Sequence, residues 1–462
     1  MSMRALAVAG LLAVVTSAGA QTVDRNAERV VAQILGNSKA YEHVAYLTDH
    51  IGPRLSGSKN AELAVAWTAQ QLRSWGLTVR QEKVLVPHWV RGVERGSLVS
   101  HNNQKLSLTA IGGSVATPAQ GITAEVIEVR SFDELEKLGR AKIRGKIVYF
   151  HNPMDMQLVE SGHAFDAYSK AVEYRSKGAS KAAPYGAVAV VIHSVSSASL
   201  RTPHTGALRY EAGVAKIPAA ALSAEDALLV HRLLAKGERV RMQLVLTPRT
   251  LPDAESANVI AEIRGSERPD EVVLIGGHLD SWDLGTGAID NASGVAMVME
   301  TMRVLQEMGI KPRRTIRAVL FKNEENGLRG GKKYFDTVSG NETLAKHVAA
   351  LESDAGAAAP TGFVTTLKGD TLRALESRAS ILSRLGALKF TTSTSTGADT
   401  SPLVDAGVPG FGIVPDPRHY FDWHHTAADT LDKIKEPELT QSTAAFAALA
   451  YVLADSDLDV RK

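Results

Sequence analysis

Apolar and polar positions fall into three regimes along this chain. In the first, residues 24–36 and 39–50 carry apolar positions at helical spacing, among them Val30, Val31, Ile34 and Leu35. Ile51–Ser58 is a turn-rich loop. Asn60 to Trp75 predicts an amphipathic helix with Leu63, Ala64, Trp67 and Leu72 on one face, ended by Gly76. Thr78 to Val86 alternates as a strand does.

The second regime, residues 91–250, is richer in strand-like runs: Leu106–Ile111, Ala124–Val129, Lys146–Phe150, Ala187–Ile192, Ala219–Leu222 and Arg239–Leu246. Helical segments at Asp133–Leu138 and Ala224–Ala235 lie between them, with Gly/Ser/Ala-rich loops over the remainder. This predicts a β-rich module inserted into a domain formed by residues 21–90 and 251–462. In the third regime strands and helices alternate regularly. Asn258–Ile263, Glu271–Ile275, Thr315–Phe321 and Ala349–Glu352 are apolar strands, and Gly294–Met308 is a helix with Val295, Val298, Met299, Met302 and Leu305 on one face. Such alternation predicts an α/β fold with a mostly parallel mixed sheet flanked by helices.

Composition narrows the function. The 462 residues hold 52 Lys+Arg against 50 Asp+Glu, a formal net charge of +2. This balance argues against a nucleic-acid protein or a polybasic membrane-surface protein. Cysteine is absent, which excludes disulfides, thiol nucleophiles and thiolate metal sites. Any transition metal must then sit on His, Asp and Glu. At the N-terminus, Arg4 precedes an apolar run from Ala5 to Val15, then Ala18-Gly19-Ala20. The run is shorter than the roughly 20 residues of a membrane span. It predicts a signal peptide over residues 1–20, cut after Ala20, and a secreted or periplasmic protein with no membrane segment. Asn291-Ala292-Ser293 and Asn341-Glu342-Thr343 are formal glycosylation sequons, expected to be chance matches.

Chemistry collects after the strands of the third regime. Gly277-His278-Leu279-Asp280 follows one, Asp290-Asn291 opens the long helix, and Asn323-Glu324-Glu325-Asn326 and Glu352-Ser353-Asp354 follow two others. Asp422-Trp423-His424-His425-Thr426-Ala427-Ala428-Asp429 lies near the end. Singly, each is a common solvated loop or helix start. Together they would converge at the carboxyl ends of an open sheet, where imidazoles and carboxylates suit zinc or manganese.

These motifs, with Ile51-Gly52-Pro53-Arg54-Leu55-Ser56-Gly57-Ser58 and Gly407-Val408-Pro409-Gly410, resemble the co-catalytic zinc exopeptidases of the aminopeptidase and glutamate carboxypeptidase superfamily. The resemblance covers most of the chain past residue 20, and the inserted module resembles the protease-associated domain of these enzymes. It implies two zinc ions per chain. His278 and Asp354 resemble the ligands of one, Glu325 and His425 those of the other, and Asp290 the bridging carboxylate. Glu324 resembles the general base and Asp280 a carboxylate behind His278. The ligand stands immediately before Thr or Ser in the last motif, which selects His425 over His424. A cis peptide bond after Asp290, a peptide substrate and a homodimer are implied in the same way. Cleavage near a chain end of dipeptides or short peptides is expected. An aminopeptidase on longer peptides, a glutaminyl cyclase and a non-catalytic binding relative are the alternatives.

Overall fold

The computed structural model describes residues 25–461, so the predicted signal segment lies outside the described residues. Two eight-stranded sheets organise it. The first runs Thr78–Val90, Arg249–Ile263, Arg314–Phe321, Arg268–His278, His347–Glu352, Gly410–Pro415, Pro360–Thr365, Phe390–Thr392. Its centre is parallel: Arg268–His278 pairs in parallel with Arg314–Phe321 on one side and with His347–Glu352 on the other, and the latter pairs in parallel with Gly410–Pro415. The flanks are antiparallel except for the edge strand Phe390–Thr392, which pairs in parallel with Pro360–Thr365. Central strands such as His347–Glu352 are buried at every position, as expected where helices cover both faces. Ser293–Glu307 and Glu436–Asp455 are two of these helices, and the latter is buried from Ser442 to Ala454.

The helix at Lys59–Ser74 corrects one detail of the sequence reading. Its buried stripe is Ala61, Ala64, Val65, Thr68, Ala69 and Leu72, while Leu63 lies 45% exposed on the outer side. Small residues at 3.6-residue spacing outrank the larger leucine because they let the helix approach the sheet closely.

The second sheet takes all its strands from between Glu94 and Leu246. The expected strand Leu106–Ile111 is two short strands there, Gln104–Leu106 and Leu108–Ala110, at opposite ends of the strand order. The sheet curls so that the Leu108 side chain covers Gly96 on the strand Glu94–Leu98, next to the far edge. The helix Ala164–Ala182, where the sequence pattern predicts loop, packs beside the strand Ala189–His193. No helix among the described residues is long and apolar enough to cross a membrane.

Candidate active site

His278 ends the central parallel strand, and its neighbours in the sheet release Lys322–Glu325 and Ser353–Asp354 at the same edge. Asp290 arrives from the next connection, just before the helix Ser293–Glu307. That helix starts where Asn291 Oδ1 accepts the Gly294 N–H at 3.0 Å, while Asn291 Nδ2 donates to the Ser353 carbonyl at 2.7 Å. The Asn291 side chain is fully buried in these bonds, so this sequon offers no accessible amide. The Asp290–Asn291 peptide bond is cis, as the resemblance implies.

The side chains meet in one connected group. His278 Nε2 lies 3.1 Å from Asp290 Oδ1 and 3.1 Å from Asp354 Oδ1. The other oxygen of Asp290 faces His425 Nε2 at 3.1 Å, and His425 Nε2 lies 2.9 Å from Glu325 Oε2. His424 also approaches Asp290, at 3.3 Å, but among the described residues only His425 forms an ion pair with Glu325. All five residues expected as ligands are thus brought together, and Glu324 lines a cavity of about 790 Å³ with Asp290, Glu325, Asp354 and His425. His425 has a left-handed backbone with φ of +59°, an unfavourable conformation for a side chain of this size that the surrounding contacts hold in place.

Asp280 stands differently from the expectation. His278 Nδ1 donates to the main-chain carbonyl of Asp280 at 3.0 Å, not to its carboxylate. That carboxylate points toward the next strand end, where Oδ1 accepts the Asn323 and Glu324 amides at 2.7 and 3.1 Å and Oδ2 accepts from Ser56 Oγ at 3.1 Å. A side chain two residues past a strand can turn either way, and two unpaired N–H groups outcompete a ring that the carbonyl already satisfies.

Two supporting residues carried no assigned role in the sequence. Fully buried Arg54 donates to the carbonyls of Leu279, Thr286 and Gly287 at 3.1, 2.6 and 2.9 Å, clamping the loop between His278 and Asp290. Burial lowers its pKa to about 10 against the pull of Asp429, Asp280, Asp290 and Glu325, so it stays charged at neutral pH. Asp429 accepts the Ile289 and Asp290 amides at 2.7 and 3.2 Å and fixes the backbone that aims Asp290.

Electrostatics mark the group as short of positive charge. Burial, then repulsion from Asp354, Asp290 and Asp280, raises Glu324 well above the usual carboxyl range despite attraction from His278. Burial and Asp290 do the same to Glu325. Among the described residues none of Asp290, Glu324, Glu325 and Asp354 pairs with Lys or Arg; their ion-pair partners are histidines only. Ligand atoms of His278, Asp290 and Glu325 all lie within 4.8 Å of one another, a spacing that one metal ion spans.

The second sheet's unit docks directly on this group. Thr205 N–H donates to the His425 carbonyl at 2.9 Å, and His204 Nδ1 to the His424 carbonyl at 3.1 Å. From the helix Ala164–Ala182, Arg175 donates to Tyr168 Oη at 2.7 Å and His204 Nε2 at 2.8 Å, and stands 3.4 Å from His425 Nδ1. Sequence reading missed Tyr168, Arg175 and His204. The signal was an arginine on the buried stripe Ala167, Ala171, Arg175, Gly178, Ala182, which is too poor in large apolar residues to stand out as a helix.

Comparison with known proteins agrees with this architecture. The profile of peptidase family M28 matches residues 258–450. Carboxypeptidase Q of Mus musculus is 38% identical over 421 residues, spanning 91% of this chain and 86% of that protein. The crystal structure of a peptidase M28 precursor from Shewanella amazonensis superposes with a TM-score of 0.91 at 38% identity, covering 95% of this chain and 98% of that one. A zinc aminopeptidase from Bacillus subtilis shares the fold, with a TM-score of 0.68 at 21% identity over 91% and 96% of the two chains. The chain belongs to peptidase family M28 and is a metallo-exopeptidase.

Proposed function

We propose that this chain is an exported di-zinc exopeptidase that hydrolyses dipeptides or short peptides. Residues 21–90 and 251–462 form its catalytic unit, and residues 91–250 a protease-associated-like insertion; the long strands Thr78–Val90 and Arg249–Ile263, paired antiparallel on either side of the insertion, support this division. Export rests on the Arg4, Ala5–Val15 and Ala18-Gly19-Ala20 pattern.

The observation that carries the reading is Asp290 standing between two histidines, one oxygen 3.1 Å from His278 and the other 3.1 Å from His425. His278 and Asp354 would hold one ion, Glu325 and His425 the other, and Asp290 would be shared. The donor set of imidazoles and carboxylates fits zinc, and the four carboxylates without Lys or Arg partners fit two divalent charges. When bound, such ions polarise the scissile carbonyl and acidify a water molecule.

The chain's own residues do the rest. Glu324 accepts the proton of the attacking water on its carboxylate and returns a proton to the leaving amine nitrogen. Asp280 fixes the backbone of Glu324, and its carbonyl leaves His278 Nε2 as the free lone pair. Arg54 and Asp429 hold the loop that carries Asp290.

A panel of dipeptides and end-blocked longer peptides, assayed with and without chelator, tests the proposal. Hydrolysis of dipeptides that stops on chelation supports it. Chelator-resistant hydrolysis, or cleavage only inside end-blocked peptides, contradicts it.

A further inference from the structure

Arg91 is the first residue past the strand Thr78–Val90, where the chain enters the second sheet's unit. Its side chain is 13% exposed, and every N–H of the guanidinium is used. Nε and Nη2 hold both oxygens of Asp283, at 2.8 and 2.7 Å, in a bidentate pair. Nη1 donates to Glu94 Oε1 at 2.8 Å and to the Ala110 carbonyl at 2.7 Å, and Nη2 also reaches Thr205 Oγ1 at 3.2 Å. Burial alone would lower its pKa, but Asp283 and Glu94 outweigh burial and keep it charged. The exit linker lies alongside: Thr247 Oγ1 accepts the Val93 N–H at 2.7 Å, and the Thr247 N–H donates to the Val93 carbonyl at 3.0 Å. The point from which Arg91 reaches across is therefore fixed.

Two of these partners lead straight to the histidine–carboxylate group. Asp283 follows Trp282, whose main-chain N–H donates to Glu325 Oε1 at 3.1 Å. The Trp282 indole is buried among apolar residues of the second sheet's unit, with Leu244 and Leu246, and meets the His425 ring edge-on at 5.9 Å between centroids. Thr205 gives its own N–H to the His425 carbonyl at 2.9 Å. One guanidinium thus ties together the backbone segments that hold Glu325 and His425, which stand 2.9 Å apart. The other half of the group lacks such a tie. Among the described residues, the side chains of His278 and Asp354 bond only to Asp280, Asp290 and each other, and none of these lies in the second sheet's unit. We propose that Arg91 is a positioning residue for the Glu325–His425 half of the centre, and that through it the inserted unit sets the affinity of the ion held there. This inference rests on the two-ion reading above. A lysine could meet one of these acceptors but not the fork of Asp283 together with Thr205.

The test is zinc affinity of the chelator-stripped full chain, measured by competition with a chromophoric chelator. The wild type should show two zinc sites. Arg91→Met should weaken one of them at least about 10-fold, the scale of losing a group that orients a metal ligand, and leave the other unchanged. Asp283→Asn should weaken the same site by a smaller factor, and Arg91→Lys should restore part of what Arg91→Met loses. Two backgrounds identify the site. In Asp354→Asn, adding Arg91→Met should weaken the remaining ion by the same factor as in the wild type; in Glu325→Gln it should leave the remaining ion unaffected. Saturating zinc should return kcat of Arg91→Met close to the wild-type value. Equal weakening of both sites, or an effect confined to the Glu325→Gln background, would overturn the assignment. A kcat that stays low with both sites filled would overturn it too and place Arg91 in the reaction itself. If circular dichroism shows that Arg91→Met does not fold, Asp283→Asn carries the same comparison in the same two backgrounds. A wild type with a single zinc site would refute the two-ion reading; Arg91 keeps its role there if Arg91→Met weakens that site and loses it if the site is indifferent.

Discussion

Oδ1 of Asp280 accepts the main-chain amide of Glu324 at 3.1 Å, which ties the end of one strand to the proposed base that follows the next. Asp280 therefore acts on the Glu324 side of the centre more than on His278, whose ring is set by a carbonyl. Asp280→Asn is expected to lower kcat about 10-fold to 100-fold, within the range of a general-base contribution, with zinc affinity nearly unchanged. Loss of zinc without a matching loss of kcat in the zinc-saturated enzyme would show that the carboxylate serves His278 instead.

Adjacent glutamates should respond differently. Glu324→Gln removes the proton acceptor and keeps the shape, so kcat should fall at least about 100-fold with metal content retained. Glu325→Gln replaces an anionic donor next to His425 with a neutral amide, so metal content should fall and excess zinc should restore part of the activity. Mass spectrometry of metal content beside hydrolysis rates decides the assignment. The reverse pattern would exchange the two roles.

The docking of the second sheet's unit predicts a remote effect. A Cβ added at Gly112 would lie 1.9 Å from Trp282 Cη2, and the main-chain N–H of Trp282 donates to Glu325 Oε1 at 3.1 Å. Gly112→Ala must displace the indole, and overpacking of this kind costs about 1–3 kcal/mol. Thermal melting should show that loss, and kcat/KM should fall with it because Glu325 loses its donor. A variant with lower Tm and unchanged kcat/KM would mean that Trp282 moves without its main chain.

One ion-pair cluster behind the site predicts a pH dependence of stability. Burial alone would raise the Glu300 carboxyl, but Arg303, the His43 ring and the Lys39 N–H hold it at about 2 against a usual 4.5. A depressed carboxyl stabilises the fold fully above 4.5, and this contribution disappears as pH falls toward 2, a loss of at most about 3 kcal/mol. Glu300→Gln should lower Tm at neutral pH, with the gap to wild type narrowing below pH 4.5. A gap independent of pH would remove the charge from the explanation.

Much of the fold and the grouping of His278, Asp290, Glu324, Glu325, Asp354 and His425 could be read along the chain, because each follows a strand or opens a helix and the parallel centre of the sheet brings those ends together. What was hidden has physical reasons. Arg54 and Asp429 act through main-chain carbonyls and amides, which leave no side-chain pattern. Asp280 could turn toward the His278 ring or toward the Asn323 and Glu324 amides, and only the three-dimensional position of the next strand end decides. Arg175 and His204 reach the site from a unit whose long helix is buried through alanine and glycine, so its hydrophobic period is faint.

The central claim is that two ions share Asp290. The most direct measurement is activity of chelator-stripped protein titrated with zinc, read against metal bound per chain. The account predicts that dipeptide hydrolysis reaches its plateau at two zinc per chain, and that Asp290→Asn weakens both. A plateau at one zinc per chain, or full activity in the stripped protein, would contradict it.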